Sequence, residues 1–564
     1  MSAKIIIAGT EHNFVEGNLF FQGYINHSGR LLYNEAAQDI IASFLQTKSP
    51  ADLFAEINGS FQFIYRQGNK LYFSVDHFGG YSLFYRLQNS YLTLFDNPML
   101  LPEPGPLSDL NICTFLATGF NLGQNTVFKD LQECLPGTLY TYDLKTEKLS
   151  FSRWFSFYAI DEKMPDNAIL KSLFDNLFPA VEAGEYTLSL SGGIDSRLLF
   201  GVLLKQKIPF QTYTFGSDYN PDRKLAASLA ESFNIPCHQH NFTPELCNQY
   251  WTTDDIAFII KNCTLARSLP NETDLISSHL LDPRQHIIVK GFGGDWLTGR
   301  YLTSQLLLCD TEEKLTRYLF KKYFRLTGFS SSAFKNLLFD CFDRFMQKNY
   351  YPQNPGFVSA EEQWNLQHHE RKYIVNTISF YKARGFRFYL PYYDRSLMQY
   401  FSRLKYNFKL EQNGYFQFLK NYYFLEELSP LREFPTLRGN FLAPFHPSFL
   451  QNWKSSFHTF LRDLDEKKLR KRYFLPSLTE YGDTLMLFRR DINMLPYLRQ
   501  KVGNNFPSLF PLIETLHKVN SNQAAAHLNW LSRQRTSQLN VNDLTLCYIF
   551  FNPIFLEYLT SFAT

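Results

Sequence analysis

No two cysteines in this 564-residue chain are spaced C-x-x-C, and none stands with histidines at zinc-ligand spacing. The eight cysteines (113, 134, 237, 247, 263, 309, 341 and 547) are scattered. That excludes a disulfide scaffold and reads as free thiols in a reducing cytosol. No run of 18 apolar residues occurs, so no membrane span is expected. The apolar run at Ile5-Ile6-Ile7 is too short for a signal peptide, and the expected location is the cytoplasm. A net charge of +3 leaves no basic footprint for nucleic acid. The common phosphate loop G-x-x-x-x-G-K-[ST] is also missing.

What is present describes a folded protein of at least two domains, since the chain is too long for one core. Apolar residues make up 45% and charged residues 19%, which separates it from disordered chains. The 56 Phe and 34 Tyr read as core filling.

The stretch that organises the chain is Leu188-Ser189-Leu190-Ser191-Gly192-Gly193-Ile194-Asp195-Ser196-Arg197. The alternation from Tyr186 to Leu190 predicts a strand, and Leu198, Leu199, Val202 and Leu203 fall at helical spacing. Two glycines between strand and helix let the backbone approach a ligand and turn N–H groups toward an anion. Asp195 would repel a bare phosphate, but fits if it holds a divalent cation that bridges to phosphate oxygens. A second stretch of the same design lies about a hundred residues downstream, where the strand Ile287-Ile288-Val289 runs into Lys290-Gly291-Phe292-Gly293-Gly294-Asp295. Between them, Gln211–Phe215 reads as a strand and Asp222–Phe233 as a helix. Strands alternating with helices predict a parallel sheet, with ligands at the carboxyl ends of its strands.

Ser191-Gly192-Gly193-Ile194-Asp195-Ser196 resembles the SGGxDS pyrophosphate-binding loop of ATP pyrophosphatases, and the second loop is similar to VVLSGEGADELFGGY of asparagine synthetases. Asn58–Tyr65 and Ser74–Tyr85 are similar to the GxFAxxxxD and RDxxGxxPLYY elements of that family's glutaminase domain. The resemblance implies an α/β chain. A degenerate class II glutamine amidotransferase-like domain at 1–165, an Ntn-type αββα sandwich, would precede an asparagine synthase-like parallel-sheet ATP-pyrophosphatase domain at 166–450, with a helical extension at 451–564. It implies ATP bound by Leu190, Ser191, Gly192, Gly193, Asp195, Ser196, Phe215, Lys290, Gly291 and Gly293, and Mg²⁺ held by Asp195 and Asp295. Lys290 stands where the family has Ser, and reads either as a phosphate contact or as a solvated strand-end lysine.

The glutaminase parts are missing. The family's nucleophile is an N-terminal Cys exposed by removal of the initiator Met, but here the second residue is Ser2, a poorer nucleophile. The reading is that this domain is structural or put to another use, shielding or shaping the synthetase site, with an active Ser2 variant as the alternative. The family's Glu in the second loop is replaced by Phe292, which cannot transfer a proton. Ring-closing relatives such as β-lactam synthetases and lasso-peptide cyclases also depart from Glu there. They take a Glu from the helical region that holds Gln367-His368-His369-Glu370-Arg371-Lys372, so Glu370 is the candidate base. The plainer reading of that run is a surface charge cluster. Arg387–Asp394 resembles the ExRxPFLD element and reads as a Pro-stiffened loop, with Asp394 capping the next helix. Arg438 falls where the family has the Lys that steadies the adenylate and pyrophosphate, with Arg432 as the alternative alignment.

The expected function is an ATP-dependent amide ligase that adenylates a carboxylate for attack by an amine, small molecule or peptide, without nucleic acid or membrane. The alternatives are a glutamine-hydrolysing asparagine synthetase, a related adenylating tRNA modifier and a non-catalytic nucleotide-binding scaffold. Acid, amine and oligomeric state are not readable.

Overall fold

The computed structural model describes residues 3–433 except 13, 99–100, 102–104, 107, 159–162, 217–219, 242–245, 247–265, 268–271, 325–331 and 354–355. Ser2, Arg438 and the extension at 451–564 therefore lie outside the described residues.

The first part builds two sheets from β1 (Ala3–Ile7), β2 (Thr10–His12), β3 (Leu19–His27), β4 (Arg30–Tyr33), β5 (Asn58–Gln67), β6 (Lys70–Val75), β7 (Phe84–Gln88), β8 (Tyr91–Phe95), β9 (Leu131–Glu133), β10 (Thr138–Asp143) and β11 (Lys148–Arg153). A five-stranded sheet runs β2-β1-β8-β7-β9, and a seven-stranded sheet runs β11-β10-β6-β5-β3-β4 and then β12 (Ala180–Val181). Strand alternation assigns the faces. Phe61 and Phe63 of β5 pack with Ile41, Leu45, Leu53 and Phe54 of helices α1 (Asn34–Leu45) and α2 (Pro50–Glu56). Ile64, on the opposite face, joins Ile5, Phe73, Leu92 and Leu94 between the sheets. These are the helix, sheet and sheet layers of the expected sandwich. Helix α3 (Asp109–Thr118) follows β8.

The spacing of Ile169, Leu170, Leu173, Leu177 and Phe178 predicts helix across 166–183, but α4 spans only Asn167–Asp175. Beyond it the chain returns to the sandwich, where β12 pairs in parallel with β4 through Ala180–Arg30 and Val181–Leu31.

The second part is a five-stranded sheet, β15-β14-β13-β16-β17, with every pairing parallel. Its strands are β13 (Glu185–Ser189), β14 (Phe210–Gly216), β15 (Cys237–Asn241), β16 (His286–Val289) and β17 (Arg387–Tyr389). Helix α5 (Ile194–Lys205) connects β13 to β14, α6 (Pro221–Ser232) connects β14 to β15, and α7 (Glu272–Leu280) precedes β16. The chain thus runs outward from β13, then returns to lay β16 on its other side. Strand order reverses between β13 and β16, where the carboxyl ends of an open parallel sheet leave a crevice.

The spacing of Leu198, Leu199, Val202 and Leu203 marks helix α5, yet every residue from Ser196 to Leu203 is buried. Its second face is covered by the end of the described chain: a methyl at Gly201 would meet Leu431, Phe424 and Leu428. Two-sided burial erases the periodic signal.

Candidate active site

Both Gly-rich loops sit at the switch point, one leaving β13 and the other leaving β16. They touch. A Cβ added at Gly294 would lie 2.5 Å from Asp195 Cγ and 2.9 Å from its Oδ1. One added at Gly291 would lie 3.3 Å from the Ser196 nitrogen. The Asp195 carboxyl therefore packs on the backbone beside Asp295. The Tyr392 hydroxyl donates to the Asp195 carbonyl at 2.9 Å. Burial raises the Tyr392 hydroxyl well above its ordinary value, and the charges of Asp195 and Asp295 both add to this. The Asp195 side chain also hydrogen-bonds the Tyr415 hydroxyl. Asp295 pairs with Arg300 at 3.7 Å.

Among the described residues no group of three or more His, Cys, Asp or Glu could hold a metal alone. Two carboxylates on adjoining loops fit a divalent cation that takes its other ligands from phosphate oxygens and water. Ser191, Gly193, Asp195, Gly291, Phe292, Asp295 and Phe215 are partly exposed, so the loop rims face solvent. Leu190 is buried beneath them. Ser196 Oγ accepts from the Ser191 N–H at 3.2 Å and closes the turn. Two N–H groups expected to cradle phosphate are engaged locally, Gly192 to Asp222 Oδ1 and Gly193 to Ser191 Oγ, each at 3.1 Å.

Lys290 overturns its solvated reading. It is 3% exposed and its ammonium is ion-paired with Asp274 of α7. The rings of Tyr213, Phe215, Phe292 and Tyr381 surround it at 5.2 to 5.6 Å, within cation–π range. A buried ammonium needs such a counter-charge, and the sequence did not show that Asp274 supplies it.

The surface reading of 367–372 is likewise corrected, because Gln367, His368, Glu370, Arg371 and Lys372 are all buried. The segment Leu366–Ile374 is a π-helix, a rare geometry that recurs at functional sites. Glu370 Oε2 accepts from the Tyr393 hydroxyl at 2.6 Å. Tyr393 in turn lies against the second loop: a Cβ at Gly293 would sit 2.8 Å from its ring, and Gly293 has φ +85°, which favours glycine. The candidate base is thus one side chain from the loop, through a tyrosine that sequence reading passed over. Asp394 caps its helix as expected, accepting from the Ser396 and Leu397 N–H groups. The signal for Tyr392 and Tyr393 lay in the same ExRxPFLD-like element, read there only as structure.

The sandwich reaches this region directly. Phe78 stacks on Tyr393 at 4.4 Å, and His77 Nε2 hydrogen-bonds the Tyr393 carbonyl at 2.7 Å. Glu133, fully buried, pairs with Arg267 at 2.7 Å, Arg371 at 2.9 Å and Lys372 at 3.2 Å. Burial alone would raise its carboxyl, but Arg371, Arg267 and Lys372 hold it down to about 2.

Residues 180–429 match the model of the asparagine synthase family, a span that holds both loops and Glu370. No curated protein matches the chain. Among solved structures, the allosteric regulatory enzyme of purine biosynthesis is 13% identical over 42% of this chain and 64% of that one, with a TM-score of 0.17. NMN synthetase from Francisella tularensis is 19% identical over 34% and 88%, with a TM-score of 0.17. Glutamine PRPP amidotransferase from B. subtilis, complexed with ADP and GMP, is 11% identical over 51% and 58%, with a TM-score of 0.17. The chain spans less than two thirds of the first and third of these. Likenesses this weak say nothing further about it.

Proposed function

We propose, from the match of residues 180–429 to the asparagine synthase family model, that the chain is an ATP-dependent amide ligase. It joins a carboxylic acid to an amine with release of AMP and pyrophosphate. The observation that carries this reading is the packing of the Asp195 carboxyl onto Gly294, which makes two acidic, Gly-rich strand ends one site.

In this reading the triphosphate lies across both loops, with Ser191, Gly192, Gly193, Ser196, Gly291 and Gly293 lining its path and Leu190 and Phe215 beside the base. Asp195 and Asp295 would hold Mg²⁺, which when bound neutralises phosphate charge. The acid's carboxylate oxygen attacks the α-phosphorus, and the bond to the pyrophosphate oxygen breaks. The amine nitrogen then attacks the acyl carbon, AMP leaves, and the amine's proton passes to Glu370. Phe292 can accept no proton, which leaves Glu370 as the neighbouring carboxylate for that step. Tyr393 stays protonated, because burial and the Glu370 charge raise its hydroxyl, so it orients Glu370 as a donor. The Lys290 ammonium is committed to Asp274, so we assign it to steadying the Phe215 and Phe292 rings rather than to phosphate.

The sandwich acts as a positioning wall in this reading, through the Phe78–Tyr393 stack and Glu133. The test is exchange of labelled pyrophosphate into ATP, dependent on a panel of carboxylic acids. Exchange lost in Asp195→Asn supports the ligase. A wild-type protein that binds ATP yet shows neither exchange nor pyrophosphate release with any acid supports a nucleotide-binding scaffold.

A further inference from the structure

The helix that leads into Glu370 (Phe357–Asn365, continuing as the π-segment) carries a second polar cluster. Glu361, Asn365 and His369 recur every four residues, on successive turns. Glu361 and Asn365 are essentially unexposed, and His369 is one fifth exposed. Glu361 Oε1 pairs with Lys322 at 2.8 Å, while its Oε2 has no hydrogen-bond partner. Asn365 Nδ2 donates to the Tyr323 hydroxyl at 2.6 Å and lies 3.5 Å from Glu361 Oε1, while its Oδ1 has no partner. His369 Nδ1 also lacks a hydrogen bond and faces Glu370 Oε1 at 3.7 Å. The His369 ring packs on Tyr301 at 5.4 Å and on Tyr323 at 5.5 Å. Lys322 donates to the Tyr301 carbonyl at 3.2 Å, tying the cluster to the segment that follows the second loop.

A buried acceptor left unmade costs about 1–3 kcal/mol. Here two fully buried oxygens are left so, on the two helical turns that lead into the candidate base. Burial disfavours the Lys322 charge, but Glu361 and Tyr318 outweigh it and raise the lysine above its ordinary value. Lys322 therefore stays charged and neutralises Glu361 without satisfying Oε2. The two free oxygens are acceptors, and the Tyr301 and Tyr323 rings already hold the Lys322 cation over their faces. Such a set repels phosphate and carboxylate. It fits a nitrogen with several N–H donors.

We propose that Glu361, Asn365 and His369 form the subsite for a primary amine, the nucleophile of the ligase reading on which this rests. Held there as an ammonium, the amine lies beside Glu370; it gives one proton to solvent to become the neutral nucleophile, and the second proton, released as it attacks and AMP leaves, passes to Glu370.

The probe is n-propylammonium, titrated into the full chain by saturation-transfer NMR, with n-propanol as the control of equal size. Saturable binding of the ammonium and none of the alcohol is expected. Asn365→Leu keeps the Lys322–Glu361 pair and should weaken binding at least tenfold. His369→Phe, at a position one fifth exposed, should do the same, and it keeps the test decisive if Asn365→Leu does not fold. Acid-dependent pyrophosphate exchange should stay within threefold of wild type in either variant. Absence of saturable binding to the wild type, or wild-type binding in a folded variant, overturns the subsite and leaves those oxygens to water. Absence of exchange in the wild type overturns the ligase reading instead, whatever the amine does.

Discussion

Replacing Gly294 by Ala tests the convergence of the two loops with a single methyl. Gly294 opens the short helix Gly294–Leu297 with a backbone that any residue can adopt, and Ala is the better helix former by about 1 kcal/mol. Backbone strain therefore gives no reason for the variant to unfold. The added carbon would stand 2.5 Å from Asp195 Cγ and 2.7 Å from its Cβ. Carbon pairs settle at about 3.5–4.0 Å, so the Asp195 side chain must retreat by about 1 Å. A displacement of about 1 Å in a reacting constellation costs on the order of 10²-fold in rate. Pyrophosphate exchange should then fall about a hundredfold while the thermal midpoint stays within a few degrees. Gly291→Ala is the internal comparison: its methyl would meet the Ser196 nitrogen at 3.3 Å, a tighter than ordinary contact but a far smaller overlap. Its loss should be several-fold at most. If Gly294→Ala exchanges pyrophosphate as fast as wild type, the position of Asp195 does not matter and the shared-site reasoning fails.

Asp295→Asn should reduce exchange by at least 10²-fold with the circular dichroism unchanged; full activity would remove Asp295 from the nucleotide site. Glu370→Gln should leave exchange nearly intact but slow amide formation by 10²–10⁴-fold, and an equal loss in both steps would deny it the role of base. Glu133 sets an acid limit. Its folded value of about 2 lies below the ordinary 4.5, so its contribution to stability is full above pH 4.5 and is lost as pH falls toward 2. The urea midpoint of Glu133→Gln should be lower than wild type at pH 7, and the difference should shrink across that window. Lys372, pushed down to about 7 by burial first and then by Arg371, acts at the other end. Wild-type stability should climb by up to about 1.4 kcal/mol per pH unit between pH 7 and 10, and Lys372→Met should flatten that climb.

The two Gly-rich loops and the strands feeding them were legible because they are local: strand, glycines and acid follow each other within one stretch of chain. The packing of Asp195 on Gly294 was legible only through resemblance. The failures share a cause. Lys290, Arg371 and Lys372 carry charge, and charge in a linear sequence reads as surface. Their burial rests on Asp274 and Glu133, partners distant in the chain, which no periodicity reveals. The π-helical turn that presents Glu370 has no composition of its own, and Tyr392 and Tyr393 look like core aromatics until their hydroxyls are placed.

The same partners tie the sandwich to the parallel-sheet part of the chain. The cations around Glu133 come from the parallel-sheet part, and they also reach backbone carbonyls of the sandwich. Arg267 donates to Tyr81, Arg371 to Cys134, and Lys372 to Asn121 and Gly123; Lys382, which is not among the partners of Glu133, likewise donates to Gly80. Two of these, Arg371 and Lys372, directly follow Glu370 in the π-turn. On the other side of Glu370, Tyr393 is stacked by Phe78 and bonded through its carbonyl by His77. The candidate base is thus gripped on both flanks by groups that end in the sandwich. Breaking a buried pair of this kind costs about 3–5 kcal/mol, enough to release the turn from its register. Such a grip fixes the geometry of the candidate base, because a π-turn has little intrinsic preference to hold Glu370 where it is.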